Sequence, residues 1–133
     1  MESTYESNIK VALNSANTIY ERMSDFNNFA GIIPPDKISN WQCTTDTCHF
    51  SVDKVGDVGL RIVDREPNKM VKYTADGETR FNFYLWVQIK EVAPYESRIK
   101  VTLKADLNPM IKIMVGKHLQ KFVDSLAEGI SKS

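Results

Sequence analysis

The stretch FNFYLWVQIKEVAPYESRIKVTLKADLNPMIKIMVGKHLQKFVDSLAEGI, residues 81 to 130, changes its apolar period once, and that change decides the fold. Phe81, Phe83, Leu85, Val87 and Ile89 alternate with Asn82, Tyr84, Trp86, Gln88 and Lys90. After Ala93-Pro94 the alternation resumes, with Ile99, Val101, Leu103 and Ala105 set against Arg98, Lys100, Thr102 and Lys104. A period of two describes a strand with one buried and one wet face, so two long antiparallel strands joined by a turn are expected. Asn108 then offers an N-cap ahead of Pro109, whose missing N–H does no harm at the first helical position. Ile111, Val115, Leu119, Phe122, Leu126 and Ile130 recur at spacings of three and four, flanked by Met110, Met114, His118 and Val123. This predicts a helix of about 20 residues, roughly 30 Å long. Its broad apolar face needs a sheet to cover it.

Upstream, Ile38 to Leu107 shows no sustained helical period, and turn signals recur about every eight to twelve residues, as an antiparallel sheet requires. Thr44 to Thr47 separates Trp41-Gln42-Cys43 from Cys48 to Val52. Val55-Gly56-Asp57 opens a strand through Leu60 and Ile62, Pro67-Asn68 turns the chain into Met70 to Thr74, and Asp76-Gly77 makes a further hairpin turn. About five or six strands fit. At the start of the chain, Ile9, Val11 and Leu13 alternate with Asn8 and Lys10 and predict a half-buried strand with those three inward. Asn14 and Ser15 offer N-caps for a short helix through Ala16, Ile19, Tyr20 and Met23. Phe26, Phe29, Ile32 and Ile33 continue as a second short helix, which Pro34-Pro35 ends.

The chain has 133 residues, 42% of them apolar, which suits one core and one domain over 1-133. Lysine plus arginine and aspartate plus glutamate number 17 each, so the basic excess that drives nucleic-acid binding is missing, and no nucleic-acid partner is expected. The neutral sum hides a net −4 over residues 1 to 66 and a net +4 over residues 67 to 133, read as complementary surfaces of one fold. Uncharged stretches such as Phe81 to Ile89 are too short to cross a bilayer, and Glu2, Glu6 and Lys10 fall where a signal peptide would be apolar. A cytoplasmic chain without stable membrane insertion is expected. Cys43 and Cys48 are then expected as reduced thiols. With Asp46 and His49 they do not make a zinc site, because Cys48 and His49 point to opposite faces of a strand; no metal is expected.

One strand, two short helices, a run of about six antiparallel strands and one long amphipathic helix, in that order, resemble the helix-grip superfamily. That START-like (SRPBCC) group includes START lipid-transfer domains, plant pollen allergens, aromatic polyketide cyclases and coenzyme Q-binding proteins. The resemblance is carried by Ile19-Tyr20-Glu21-Arg22-Met23-Ser24-Asp25-Phe26 leading to Pro34-Pro35, by Trp41, and by Asn108-Pro109 at the head of the last helix; the first and last are similar to compact bacterial members. It implies an α+β helix-grip fold, a curved antiparallel sheet of about seven strands around a long C-terminal helix, with two short helices after the first strand. It also implies a cavity between sheet and helix that takes small hydrophobic or amphipathic ligands, and binding of such a ligand without catalysis is the first expectation for this chain. Placed on this sequence, the lining is Trp41, Phe50, Leu60, Ile62, Tyr73, Phe83, Leu85, Val87, Val101 and Leu103, with Met110, Met114, His118 and Phe122 from the helix. The plain alternative is that these side chains fill an ordinary core.

Two further readings stay open. A cyclase or lyase would use the same cavity, with His118, Tyr20 or Tyr73 moving a proton; no cofactor is expected, and the sequence holds no G-x-S-x-G elbow or phosphate loop. An interaction module would act through the outer sheet face, where Tyr84 and Trp86 lie beside Arg98, Lys100 and Lys104, and a homodimer through Tyr84 and Trp86 is the form it would take. Against it stands a plain solvated face. Gly116 costs the helix roughly 1 kcal/mol relative to alanine, and implies either room for a ligand or close approach by a bulky strand residue such as Trp86 or Phe83.

Overall fold

The alternation between residues 83 and 105 becomes the widest ladder of one antiparallel sheet. A computed structural model describes residues 2–32, 38–52, 55–77 and 81–132. The strands are β1 (Glu2–Glu6), β2 (Lys10–Ala12), β3 (Ile38–Cys43), β4 (Thr47–Val52), β5 (Gly56–Glu66), β6 (Met70–Ala75), β7 (Phe83–Ala93) and β8 (Glu96–Asp106). They run in the order β1-β8-β7-β6-β5-β4-β3, with β2 also paired to β8. Helix α1 (Ala16–Met23) and a 3₁₀ helix (Phe26–Gly31) follow β2, and α2 (Pro109–Lys132) closes the chain. The curved sheet and long C-terminal helix are the helix-grip architecture the pattern implies.

Parity sets the core. Phe83, Leu85, Val87 and Ile89 of β7 and Ile99, Val101, Leu103 and Ala105 of β8 are all buried, and they meet Val115, Leu119, Val123, Leu126, Ala127 and Ile130 of α2. Each large side chain so buried is worth about 1.5–3 kcal/mol, which no helix propensity approaches. The Ile111 N–H donates to Asn108 Oδ1 at 2.9 Å, so Asn108 caps α2. Ser15, rather than Asn14, caps α1: its Oγ accepts from the Thr18 N–H at 3.2 Å. The Glu91 carboxylate accepts from the Ala16 N–H at 3.0 Å and places a negative charge at the positive end of that helix.

The first strand departs from its expected face. It is split into β1 and β2, and Ile9, Val11 and Leu13 are exposed while Ser3, Ser7 and Ala12 are buried. Glu6 pairs with Thr102, but Lys10 pairs with Ile99, so one extra residue lies between the two strands and reverses which side chains face inward. Ser7 bridges the break: its N–H donates to the Val101 carbonyl, and its Oγ accepts from the Val101 N–H, each at 2.9 Å. The second short helix is 3₁₀ rather than α, and the Phe29 side chain, Ile33 and Pro34-Pro35 lie outside the described residues.

The cysteines also depart from expectation. Cys43 and Cys48 are joined as a disulfide across the β3–β4 hairpin. They are direct cross-strand partners, and opposed residues of an antiparallel pair already stand near bonding distance, here with Cα atoms 4.1 Å apart.

Candidate ligand cavity

Where the inner faces of β4, β5, β7 and β8 diverge from α2, a cavity of about 30 Å³ is left, lined by Val52, Val55, Val58, Leu60, Phe81, Phe83, Leu103, Leu119 and Phe122. That is room for about two water-sized spheres. Every wall residue among the described ones is apolar, and no described ionisable side chain lines the cavity. Phe122 extends the wall outward, stacking on Phe50 with centroids 6.3 Å apart, and Phe50 stacks in turn on Trp41 at 5.1 Å. The result is a row of three rings from α2 to the edge strand β3.

Of the expected lining, Leu60, Phe83, Leu103 and Phe122 stand on the wall, and Trp41 and Phe50 stand directly behind it. Leu85, Val87 and Val101 are packed in the core away from the cavity, and Ile62 is half-buried on β5. Met110 and Met114 were expected inward and are exposed, because the first turns of α2 present that side of the helix to solvent. His118 is half-buried and has no hydrogen-bond partner among the described residues. Sequence reasoning missed Val52, Val55, Val58, Phe81 and Leu119 as wall residues, although four had a signal: Val52 and Val58 share parity with Phe50 and Leu60, Phe81 with Phe83, and Leu119 lies one turn before Phe122.

Tyr73, the other expected polar lining residue, is fully buried and does structural work instead. Its hydroxyl donates to the Met23 carbonyl at the end of α1, and its ring packs against Phe26 at 5.4 Å. Burial raises its pKa well above the ordinary value of 10.0, with nearby Arg65 opposing that rise. A phenol raised in the folded state contributes stability that is complete below pH 10 and is lost as pH climbs toward the folded value. Chemical denaturation from neutral to strongly alkaline pH checks this. Tyr73→Phe should cost about 1 kcal/mol at neutral pH through the lost hydrogen bond and flatten the alkaline decline; an unchanged alkaline slope would assign that decline elsewhere.

Gly116 faces Tyr5 rather than Trp86 or Phe83: a Cβ there would stand 3.1 Å from the Tyr5 hydroxyl. That hydroxyl is buried without a hydrogen-bond partner among the described residues, as is Ser3 Oγ on the same strand. An unpaired buried hydroxyl carries an uncompensated desolvation cost, so Tyr5→Phe is expected to raise stability by about 1 kcal/mol. Thermal melting decides it, and a lowered midpoint would mean the hydroxyl has a partner in solution.

On the opposite side of the sheet lies a polar depression of about 300 Å³, lined by Asn40, Gln42, His49, Phe50, Ser51, Asp57, Val58 and Gly59. His49 Nε2 meets the Asp76 carboxylate at 2.8 Å, and Ser51 donates to Asp57 at 2.6 Å. The His49 ring lies over Gly59, where a Cβ would come within 2.8 Å of it. Further along the outer face, Tyr84 and Trp86 contact each other at 6.0 Å, with Lys72 4.5 Å from the Tyr84 centroid and Lys104 5.8 Å from that of Trp86. The basic and aromatic residues expected on one face do share it.

No protein-family profile matches the chain, and no curated protein matches it. Solved structures do. A norcoclaurine synthase point mutant from Thalictrum flavum, in complex with a transition-state analogue, superposes with a TM-score of 0.77 at 12% identity, covering 99% of this chain and 93% of that one. A START superfamily protein from Mycobacterium smegmatis gives 0.64 at 16% identity, covering 99% and 97%. A conserved protein from Geobacillus kaustophilus gives 0.72 at 12%, covering 99% and 93%. The chain therefore has the START-like helix-grip fold. At these identities the likeness speaks to architecture alone, and among those neighbours one is an enzyme. No helix among the described residues is long and apolar enough to cross a membrane.

Proposed function

We propose that this chain binds a small, mostly apolar molecule between α2 and the sheet, as a non-catalytic domain spanning 1-133. The observation that carries the reading is the apolar wall that the described residues give the cavity, bordered by the Trp41, Phe50 and Phe122 row. A cavity of about 30 Å³ is far below the few hundred that a drug-sized ligand fills, so binding requires wall residues to turn outward. Phe81 and Phe122 are only half-buried and have solvent to turn toward. A further solved norcoclaurine synthase structure holds dopamine and hydroxybenzaldehyde, which supports ring-shaped occupants for this fold. The cyclase alternative needs two ionisable groups on one buried spot, and among the described residues none lines this wall.

Extraction of the purified protein into organic solvent followed by mass spectrometry is the test, together with titration against fatty acids, quinones and aromatic polyketides. Co-purified apolar material or saturable binding is expected. A protein that is empty and binds none of the panel would overturn the reading. Self-association through Tyr84 and Trp86 is the second reading, favoured by the exposed Tyr84 ring. Light scattering on wild type and Trp86→Ala checks it, and a monomer in both removes it.

A further inference from the structure

We propose that the N-terminal half of α2 docks on an anionic lipid surface. Met110, Ile113 and Met114 are 72%, 83% and 55% exposed, and their spacing of three and four puts them on one face of the helix. Lys117 and Lys121 continue the same face at steps of three and four, while Lys112 stands on the other side of the helix. All three lysines are exposed, and none has an ion-pair partner among the described residues. From Leu107 to Val123 the chain carries no acidic side chain. The acidic residues of α2 come later, at Asp124 and Glu128, and Glu128 is already held by Lys10 at 3.0 Å and Lys132 at 2.8 Å.

Such a face asks for an occupant that is apolar and negative together. A bilayer surface containing anionic lipid offers both, with the methionines and isoleucine entering the acyl boundary and the lysines meeting headgroups. A second copy in two-fold contact would bring the same patch against itself, with no acidic side chain on it to pair with the lysines. The stripe from Met110 to Lys121 is roughly 18 Å long at 1.5 Å per residue, suited to lying in the interface rather than crossing it. The inference stands whether or not the cavity takes a ligand.

Vesicle flotation of the full chain tests it, with phosphatidylcholine alone and with phosphatidylcholine and phosphatidylglycerol in equal parts. Wild type should float with the anionic vesicles only, and less so as salt is added. Each lysine near such a surface is worth about fivefold in partition, so Lys117→Gln/Lys121→Gln should lose about twenty-five-fold, and Lys112→Gln far less. Met110→Ser/Ile113→Ser/Met114→Ser should lose flotation with its circular dichroism unchanged, and the single change Ile113→Asp serves if the triple variant misfolds. Wild type that ignores anionic vesicles, binds both kinds equally, or binds no better than the double lysine variant or the serine variant overturns the proposal. So does a dimer, seen by light scattering, that the serine variant dissolves.

Discussion

Gly129→Ala lowers the stability of the folded chain by about 3 kcal/mol, a drop of roughly 10 °C in melting midpoint, by overpacking backbone against backbone. On propensity alone the change should help, since alanine is the better helix former by roughly 1 kcal/mol. The contact reverses the sign. A Cβ at this position of α2 would overlap the Ile32 carbonyl oxygen and stand 2.8 Å from the Ile32 carbonyl carbon, with the Ile32 side chain at 3.0 Å. Neither backbone can yield without moving α2 off the sheet or shifting the segment after the 3₁₀ helix. Gly116→Ala is the control: its Cβ would meet only the outer end of the Tyr5 ring, at 3.1 Å, so the propensity gain and the mild crowding should nearly cancel. Urea denaturation of both variants separates the two cases. A stabilised Gly129→Ala would show that α2 does not approach Ile32 this closely in solution.

Leu119→Trp reduces the affinity for an apolar probe at least tenfold, equivalent to about 1.4 kcal/mol, at a stability cost of about 1–3 kcal/mol. Leu119 is buried and forms part of the cavity wall from the α2 side, and an indole there adds more volume than the cavity contains. Phe122→Ala should act in the opposite direction, since removing a half-buried ring from the wall joins the cavity to the space in front of Phe50. Fluorescence titration with an environment-sensitive naphthylamine probe, read beside the melting curve, distinguishes lost binding from lost folding. Unchanged affinity in a folded Leu119→Trp protein would place the binding site elsewhere.

The late strands were legible because β7 and β8 bury one face completely, so only one parity lets Phe83, Leu85, Val101 and Leu103 leave water. Ile9, Val11 and Leu13 alternate just as well and nonetheless face out. Nothing in their period records the extra residue between Glu6 and Lys10, whose position depends on how β1 and β2 meet β8. Across that junction Lys100 meets Glu6 at 3.0 Å, while Lys10 reaches Glu128 of α2 rather than a side chain of a neighbouring strand. Similarly, Met110 and Met114 have the spacing of a core face, but the apolar stripe of α2 is wider at its N-terminal end than the surface it covers. The Cys43–Cys48 bond is compatible with the expected hairpin, and it is the assumption of a reducing compartment that argues against it; the register places the two residues opposite each other.

The sequence by itself determined the order of the elements, the inner face of β7 and β8, the Asn108 cap and the burial of most of α2, because each follows from a local period or a short-range hydrogen bond. The cavity belongs to the tertiary structure. Its volume is the small difference between the space enclosed by four strands and a helix and the side chains that fill it, so the settings of Phe50, Phe81 and Phe122 decide whether about 30 Å³ or much more remains.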